Sequence, residues 1–126
     1  MIDKANIRRN LSRLMAAKSI SGTAEEIQGA EVILDMLHEL DYFKAHSENI
    51  FTVPVEGDPL GRYIVAALMC GNAAGNTIIL TGHYDVVDAD EYAQLKDIAF
   101  DMDAITARIG ELPMSCLLYT SPSPRD

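Results

Sequence analysis

A chain of 126 residues, 48% hydrophobic and 23% charged, has the size and composition of one globular domain and not of a disordered or repeat protein. Its 10 basic and 19 acidic side chains give a formal net charge of −9, which argues against a nucleic-acid surface, since that needs clustered Lys and Arg. No apolar run approaches a bilayer span and none follows a basic start at Met1-Ile2-Asp3-Lys4, so no membrane partner is expected and a cytoplasmic location is the default.

Cys70 and Cys116 are too few for a disulfide framework and lack metal-site spacing, so Cys70 reads as a structural thiol. The first element is an amphipathic helix from about Lys4 to Ala17. Ile7, Leu11, Leu14, Met15 and Lys18 recur at steps of three and four, with Arg8, Arg9 and Arg13 on a solvated face. Ser19-Ile20-Ser21-Gly22 breaks it. Thr23 and Glu26 have capping-box spacing, which starts a second helix at Ala24. The acidic pair Glu25-Glu26 suits its first turn, and the apolar series Ile27, Ala30, Ile33, Leu34, Leu37 and Leu40 carries it to Leu40 or Asp41.

Ile50, Phe51, Val53 and Val55 alternate with smaller or polar residues over Asn49 to Val55, and Tyr63 to Met69 is a second run of β-formers. Turn chemistry in Gly57-Asp58-Pro59-Leu60-Gly61 joins them as an antiparallel hairpin. After a loop at Gly71 to Asn76, Thr77-Ile78-Ile79-Leu80 reads as a short strand buried on both faces. Glu91 to Ala99 reads as a surface loop or partial helix, and Asp101 as the cap of a short helix through Ala104, Ile105 and Ile109. The fold class is α/β: helices packed on a mixed sheet that holds the hairpin and the Thr77 to Leu80 strand.

Gly82-His83-Tyr84-Asp85 follows that strand, at the carboxyl end where α/β sheets bind ligands. Extended backbone puts His83 and Asp85 on the same side, since side chains alternate with a period of two. A neutral imidazole binds zinc at about 2.0–2.1 Å, and a carboxylate on its other ring nitrogen fixes tautomer and orientation. His83 is then the candidate ligand and Asp85 its orienter. The competing reading of the triplet alone is a hydrogen-bonded structural histidine.

From about Ile7 to Gly110 the chain resembles the zinc-dependent aminoacylase, acetylornithine deacetylase and succinyl-diaminopimelate desuccinylase family. The resemblance rests on an ordered set: the first helix, Ser19-Ile20-Ser21-Gly22-Thr23, the second helix, the hairpin, and Leu80-Thr81-Gly82-His83-Tyr84-Asp85-Val86-Val87. Asp58-Pro59-Leu60-Gly61-Arg62 and Leu95-Lys96-Asp97-Ile98-Ala99-Phe100-Asp101 look like its arginine-utilisation branch. The resemblance implies a zinc-peptidase-like catalytic domain with two metal ions, normally zinc, with cobalt or manganese as alternatives. It further implies that His83 binds one ion, that Asp85 orients it, and that a small acylated amino acid or peptide is the substrate. No oligomeric state follows from it.

The family's bridging carboxylate, its glutamate base with an adjacent acidic ligand, and its later ligands find no match. No histidine follows Asp85, Glu25-Glu26 reads as a helix start, and Asp88, Asp90, Asp101 and Asp103 read as loop or cap residues. Residues 1–115 are therefore expected to be an amino-terminal piece of the catalytic domain, inactive alone. The tail 116–126, from Cys116 to Asp126, looks like a translated sequencing-adapter tail, with an ordinary disordered terminus as the alternative. A stand-alone binding or regulatory α/β domain is the competing function. A His-Asp pair serving a Ser or Cys nucleophile ranks third, because no G-x-S-x-G elbow is present.

Overall fold

Helix α1 (Lys4–Ala16) begins where the Asp3 carboxylate accepts from the backbone N–H groups of Ala5 and Asn6 at 3.0 and 3.2 Å. Two first-turn donors that the helix leaves unpaired are thereby satisfied. In this computed structural model residues 3–72 and 75–112 are described; Cys116 and the 116–126 tail lie outside them. The basic face of α1 is ion-paired and solvated as expected. Arg8 pairs with Asp103, and Arg13 reaches Glu39 at 2.8 Å.

The link after α1 turns sharply, with Lys18 and Gly22 at φ 51° and 75°. The capping box expected at Thr23 does not form. The Thr23 hydroxyl donates to the Ile20 carbonyl at 2.8 Å, and the Glu26 carboxylate accepts from the Gly22 N–H at 2.6 Å. Ala24–Glu26 is consequently a 3-10 turn, and helix α2 runs Ile27–His38. The difference has a physical cause: Glu26 is only 7% exposed and its carboxylate is drawn inward toward Arg62. A further short helix, α3 (Asp41–Ala45), lies where no separate element was expected, and it buries Phe43.

Strands β1 (Ile50–Pro54) and β2 (Tyr63–Ala67) form the expected antiparallel hairpin, with Ile50 opposite Ala67 and Pro54 opposite Tyr63. Its turn is held by the Asp58 N–H donating to the Val55 carbonyl and the Gly61 N–H donating to the Asp58 carbonyl. Gly57 and Gly61 take φ 72° and 68°, a region that costs other residues strain. Helix α2 touches both β2 and α1. The Tyr42 hydroxyl accepts from the Cys70 N–H at 2.8 Å, but the Cys70 side chain is exposed and is not the structural thiol anticipated.

The fold is α/β, with two departures from the expected sheet. Among the described residues the sheet has two strands, and the parallel pairing is one isolated bridge, Ile20 with Val86. Thr77-Ile78-Ile79-Leu80 is not a buried strand: Ile78, Ile79 and Leu80 are 84%, 83% and 92% exposed. Apolar content marks such a run as strand-like, but a strand exists only where neighbours take its N–H and C=O groups, and no described segment does so.

Beyond Val86, a 3-10 segment (Asp90–Ile98), kinked at Ala93, leads to helix α4 (Met102–Arg108). Asp101 caps α4 as expected, accepting from the N–H groups of Asp103 and Ala104 at 3.1 and 3.0 Å. Leu95, Ile105 and Leu112 make a buried cluster that Met15 of α1 helps to cover. The 90–98 segment is the partial helix that was one of the two expectations, but it is not all surface, because Leu95 is buried in this small core.

Candidate functional site

The link after α1, from Ser19 to Ser21, builds one wall of the site. The Ser19 carbonyl accepts from the Val86 N–H and the Ser21 N–H donates to the Val86 carbonyl, both at 2.9 Å, which is the parallel bridge. The Ser19 hydroxyl, 2% exposed, donates to the Tyr84 carbonyl at 2.6 Å. Residues 84–86 are therefore fixed against the 19–21 link and not by a sheet. Gly29 of α2 completes the docking, because a Cβ there would stand 2.9 Å from Ser19 Cβ and from Tyr84 Cδ2.

On this support His83 Nδ1 lies 3.1 Å from Asp85 Oδ1 and 3.0 Å from the Asp85 carbonyl oxygen. Both neighbours are acceptors, so the neutral ring carries its proton on Nδ1 and leaves the Nε2 lone pair free. The His83 side chain is 84% exposed, against 38% for Asp85. The second carboxylate oxygen, Asp85 Oδ2, accepts from the Ser21 hydroxyl at 2.5 Å. That donation, ahead of the His83 contact, holds the Asp85 carboxyl below its ordinary pKa.

The groove that His83 and Asp85 line also holds an ion cluster. Arg62 grips Asp58 with two guanidinium nitrogens, at 2.7 and 3.0 Å, and reaches both Glu26 oxygens at 3.1 and 3.2 Å. The fork geometry suits a bidentate carboxylate pair. Hydrogen bonding from Arg62 lowers the Asp58 pKa to about 2, and the two carboxylates raise that of Arg62. Tyr84 donates its hydroxyl to the Tyr63 carbonyl at 3.2 Å, and burial raises its phenol pKa. Glu26, Arg62, Tyr63, His83, Tyr84 and Asp85 are among the residues lining one groove of about 500 Å³.

The structure thus brings His83 and Asp85 together. It adds Ser21, Ser19, Glu26 and Arg62, whose roles depend on contacts 36 to 65 residues apart in sequence. The four other acidic residues weighed earlier behave as loop, cap or surface groups. Asp88 accepts from the Asp90 N–H, Asp90 pairs with Lys96, Asp101 caps α4 and Asp103 pairs with Arg8.

His83 has the chemistry of one zinc ligand: an oriented imidazole with an exposed nitrogen. The set stops there, because no three His, Cys, Asp or Glu side chains converge among the described residues. A catalytic zinc usually takes three protein ligands. Nor does any described hydroxyl or thiol hydrogen-bond to Nε2; the Ser21 hydroxyl meets Asp85 instead.

Fold and site together define an α/β chain with an oriented, solvent-facing histidine on the rim of a groove. Its sequence is similar to that of Protein RocB of Bacillus subtilis (strain 168), 29% identical over 93 residues, and of the uncharacterized protein YqjN of the same organism, 30% identical over 89 residues. The matches take in 73% and 71% of this chain and 16% of each relative, so the chain spans about a sixth of the length of these proteins. No family model matches the sequence. No solved structure matches it.

Proposed function

We propose that this chain carries the first part of the active site of a metal-dependent hydrolase that cleaves an amide or peptide bond. His83 is a metal ligand and Asp85 the carboxylate that orients it. The observation that carries the reading is the His83 Nδ1–Asp85 Oδ1 hydrogen bond, which presents Nε2 to solvent. Similarity to RocB and YqjN across the stretch containing most of this chain supports a shared architecture in a longer protein. A zinc pair held partly by His83 would supply a polarised carbonyl and an acidified water. Asp85 keeps the imidazole in the tautomer whose Nε2 is a lone-pair donor, and the groove beside it receives a small acylated amino acid or peptide.

We assign the remaining ligands and the general base to the part of a longer parent beyond this chain, which spans about a sixth of its relatives' length, and expect the 126-residue chain alone to be inactive. We place the parent in the cytoplasm and in an arginine-utilisation branch of the family; no helix among the described residues is long and apolar enough to cross a membrane.

The test is titration of the chain with Zn(II) or Co(II), following the ring signals of His38, His46 and His83 by NMR and repeating with His83→Ala. A carboxylate-oriented imidazole is a better ligand by about 10- to 100-fold, and His83 has Asp85 at 3.1 Å where His46 has Glu48 only at 3.5 Å, beyond a good hydrogen bond. His83 should therefore respond first and saturate. Three histidines responding alike, or His83 last, would overturn the reading. That result would favour a non-catalytic binding or regulatory domain with a structural His83–Asp85 bond, a reading that the lack of a three-ligand cluster among the described residues keeps in view. Metal-dependent hydrolysis of an acyl-amino acid by the chain alone would overturn the expected inactivity.

A further inference from the structure

We propose that Ser21 is a positioning residue of the site, holding the Asp85 carboxylate in the plane that keeps His83 in its Nδ1–H tautomer. The inference rests on His83 and Asp85 acting together as proposed above.

A carboxylate attached by one rotatable bond can turn away from a single hydrogen-bond partner. Asp85 has two on opposite oxygens: His83 Nδ1 at 3.1 Å from Oδ1 and the Ser21 hydroxyl at 2.5 Å from Oδ2. Two donors on opposite oxygens fix the rotation. The alternative acceptor for Ser21, the Val86 carbonyl, is farther at 3.2 Å, and the one hydroxyl proton goes to the nearer, charged oxygen. Asp85 is 38% exposed, so without Ser21 water competes for Oδ2 and the carboxylate is free to turn; the Asp85 carbonyl, 3.0 Å from Nδ1, still accepts, so the Nδ1–H preference weakens and is not abolished.

Ser21 is itself held. Its N–H donates to the Val86 carbonyl at 2.9 Å, and the next residue, Gly22, donates its N–H to the buried Glu26 carboxylate at 2.6 Å. Arg62 pins Glu26 at 3.1 Å. A rigid path thus runs from the hairpin through Glu26 and the 19–22 link to the outer oxygen of Asp85, a support of the kind that orients ligand-bearing side chains in built sites.

The experiment needs no metal. Long-range ¹H–¹⁵N spectra of the full 126-residue chain, under conditions where the ring is neutral, report which His83 nitrogen carries the proton. The wild type should show Nδ1–H as the major form. Ser21→Ala should shift the ratio toward Nε2–H by at least about threefold, roughly 0.65 kcal/mol as RT ln 3, while Ser21→Thr, which keeps the hydroxyl, should restore it. Ser19→Ala removes a neighbouring hydroxyl that bonds backbone and not Asp85, and should move the ratio less than Ser21→Ala does.

An unchanged ratio in a folded Ser21→Ala, or equal loss in Thr and Ala variants, overturns the role of Ser21. If Ser21→Ala does not fold, Ser21→Cys decides, since its thiol is only a weak donor: a ratio shifted toward Nε2–H supports the role and a wild-type ratio refutes it. A wild-type ring already in the Nε2–H form overturns the His83–Asp85 geometry itself. Because the readout is metal-free, failure of metal binding alone leaves a separate signature and refutes only the hydrolase reading.

Discussion

Gly29→Ala puts the docking of the site against α2 to a quantitative test. In a helix interior, alanine is favoured over glycine by about 0.8–1.0 kcal/mol. Here the added methyl would lie 2.9 Å from Ser19 Cβ, 2.9 Å from Tyr84 Cδ2 and 3.0 Å from Ser19 Oγ, where ordinary contact begins at 3.4 Å. Neither neighbour yields freely. Ser19 is bound to Val86 through its backbone and to Tyr84 through its hydroxyl, and the Tyr84 ring is tethered to Tyr63. Overpacking of this kind costs about 1–3 kcal/mol. Subtracting the helix gain leaves a net loss of about 0–2 kcal/mol.

Urea unfolding of the two chains, with m unchanged, reads the difference. A loss near 1 kcal/mol lowers the melting midpoint by about 4 °C in a domain of this size. The His83 and Tyr84 signals should also move, since the methyl pushes on the segment that carries them. Ser19→Gly removes one of the two obstructing carbons, so the double variant should lose less than the sum of the singles. Stabilisation of Gly29→Ala by about 1 kcal/mol, the value expected from helix propensity alone, would refute the close packing of Ser19 and Tyr84 on α2.

Glu26→Ala should destabilise the chain by about 1–3 kcal/mol, because the Gly22 N–H loses its acceptor and Arg62 keeps only Asp58; a neutral effect in denaturant melts would contradict a buried, paired Glu26. Asp58 gives the pH dependence. Its pKa is lowered from 3.8 to about 2, so its pairing with Arg62 contributes fully above about pH 4 and is lost as pH falls toward 2. Asp58→Asn should flatten that part of an acid-unfolding profile, and an unaltered profile would count against the pair. Ile78, Ile79 and Leu80 are exposed side by side, so the chain should self-associate, and Ile79→Lys should reduce this in light scattering; a monodisperse wild-type monomer at high concentration would refute it.

What was legible in the sequence was what is local. The periodicity of α1, the turn glycines of the hairpin, and the Asp101 cap depend on residues within a few positions of one another, and all appear close to where they were expected. The Thr23–Glu26 pattern shows where local reasoning fails. The spacing suits a capping box, but Arg62, 36 residues on, draws the Glu26 carboxylate inward, and the helix start becomes a 3-10 turn. Thr77 to Leu80 failed for a related reason: apolar content describes the side chains, whereas a strand is settled by its neighbours, which lie at no fixed distance in sequence. Leu95 went the other way. It sits in a stretch of mixed polarity with a kink at Ala93, and only its meeting with Ile105 and Leu112 makes it core.

The His83–Asp85 spacing was readable because period-two geometry is nearly local, but the expected reason for that geometry was a strand, and a strand is not what supplies it. Tyr84 and Val86 are held by one parallel bridge, one serine hydroxyl and the flat side of a glycine. Each of these comes from the 19–29 region, which looked like a helix break followed by a helix start. The Ser-Ile-Ser-Gly link is therefore better understood as a clamp than as a connector. Ser19 takes the backbone of Tyr84, Ile20 pairs with Val86, Ser21 takes the carboxylate of Asp85, and Gly22 passes its N–H to Glu26. A substitution in this link should disturb His83 more than an equally conservative one in the hairpin turn, even though the turn is nearer to His83 in sequence, because the contacts that orient the pair run through the link.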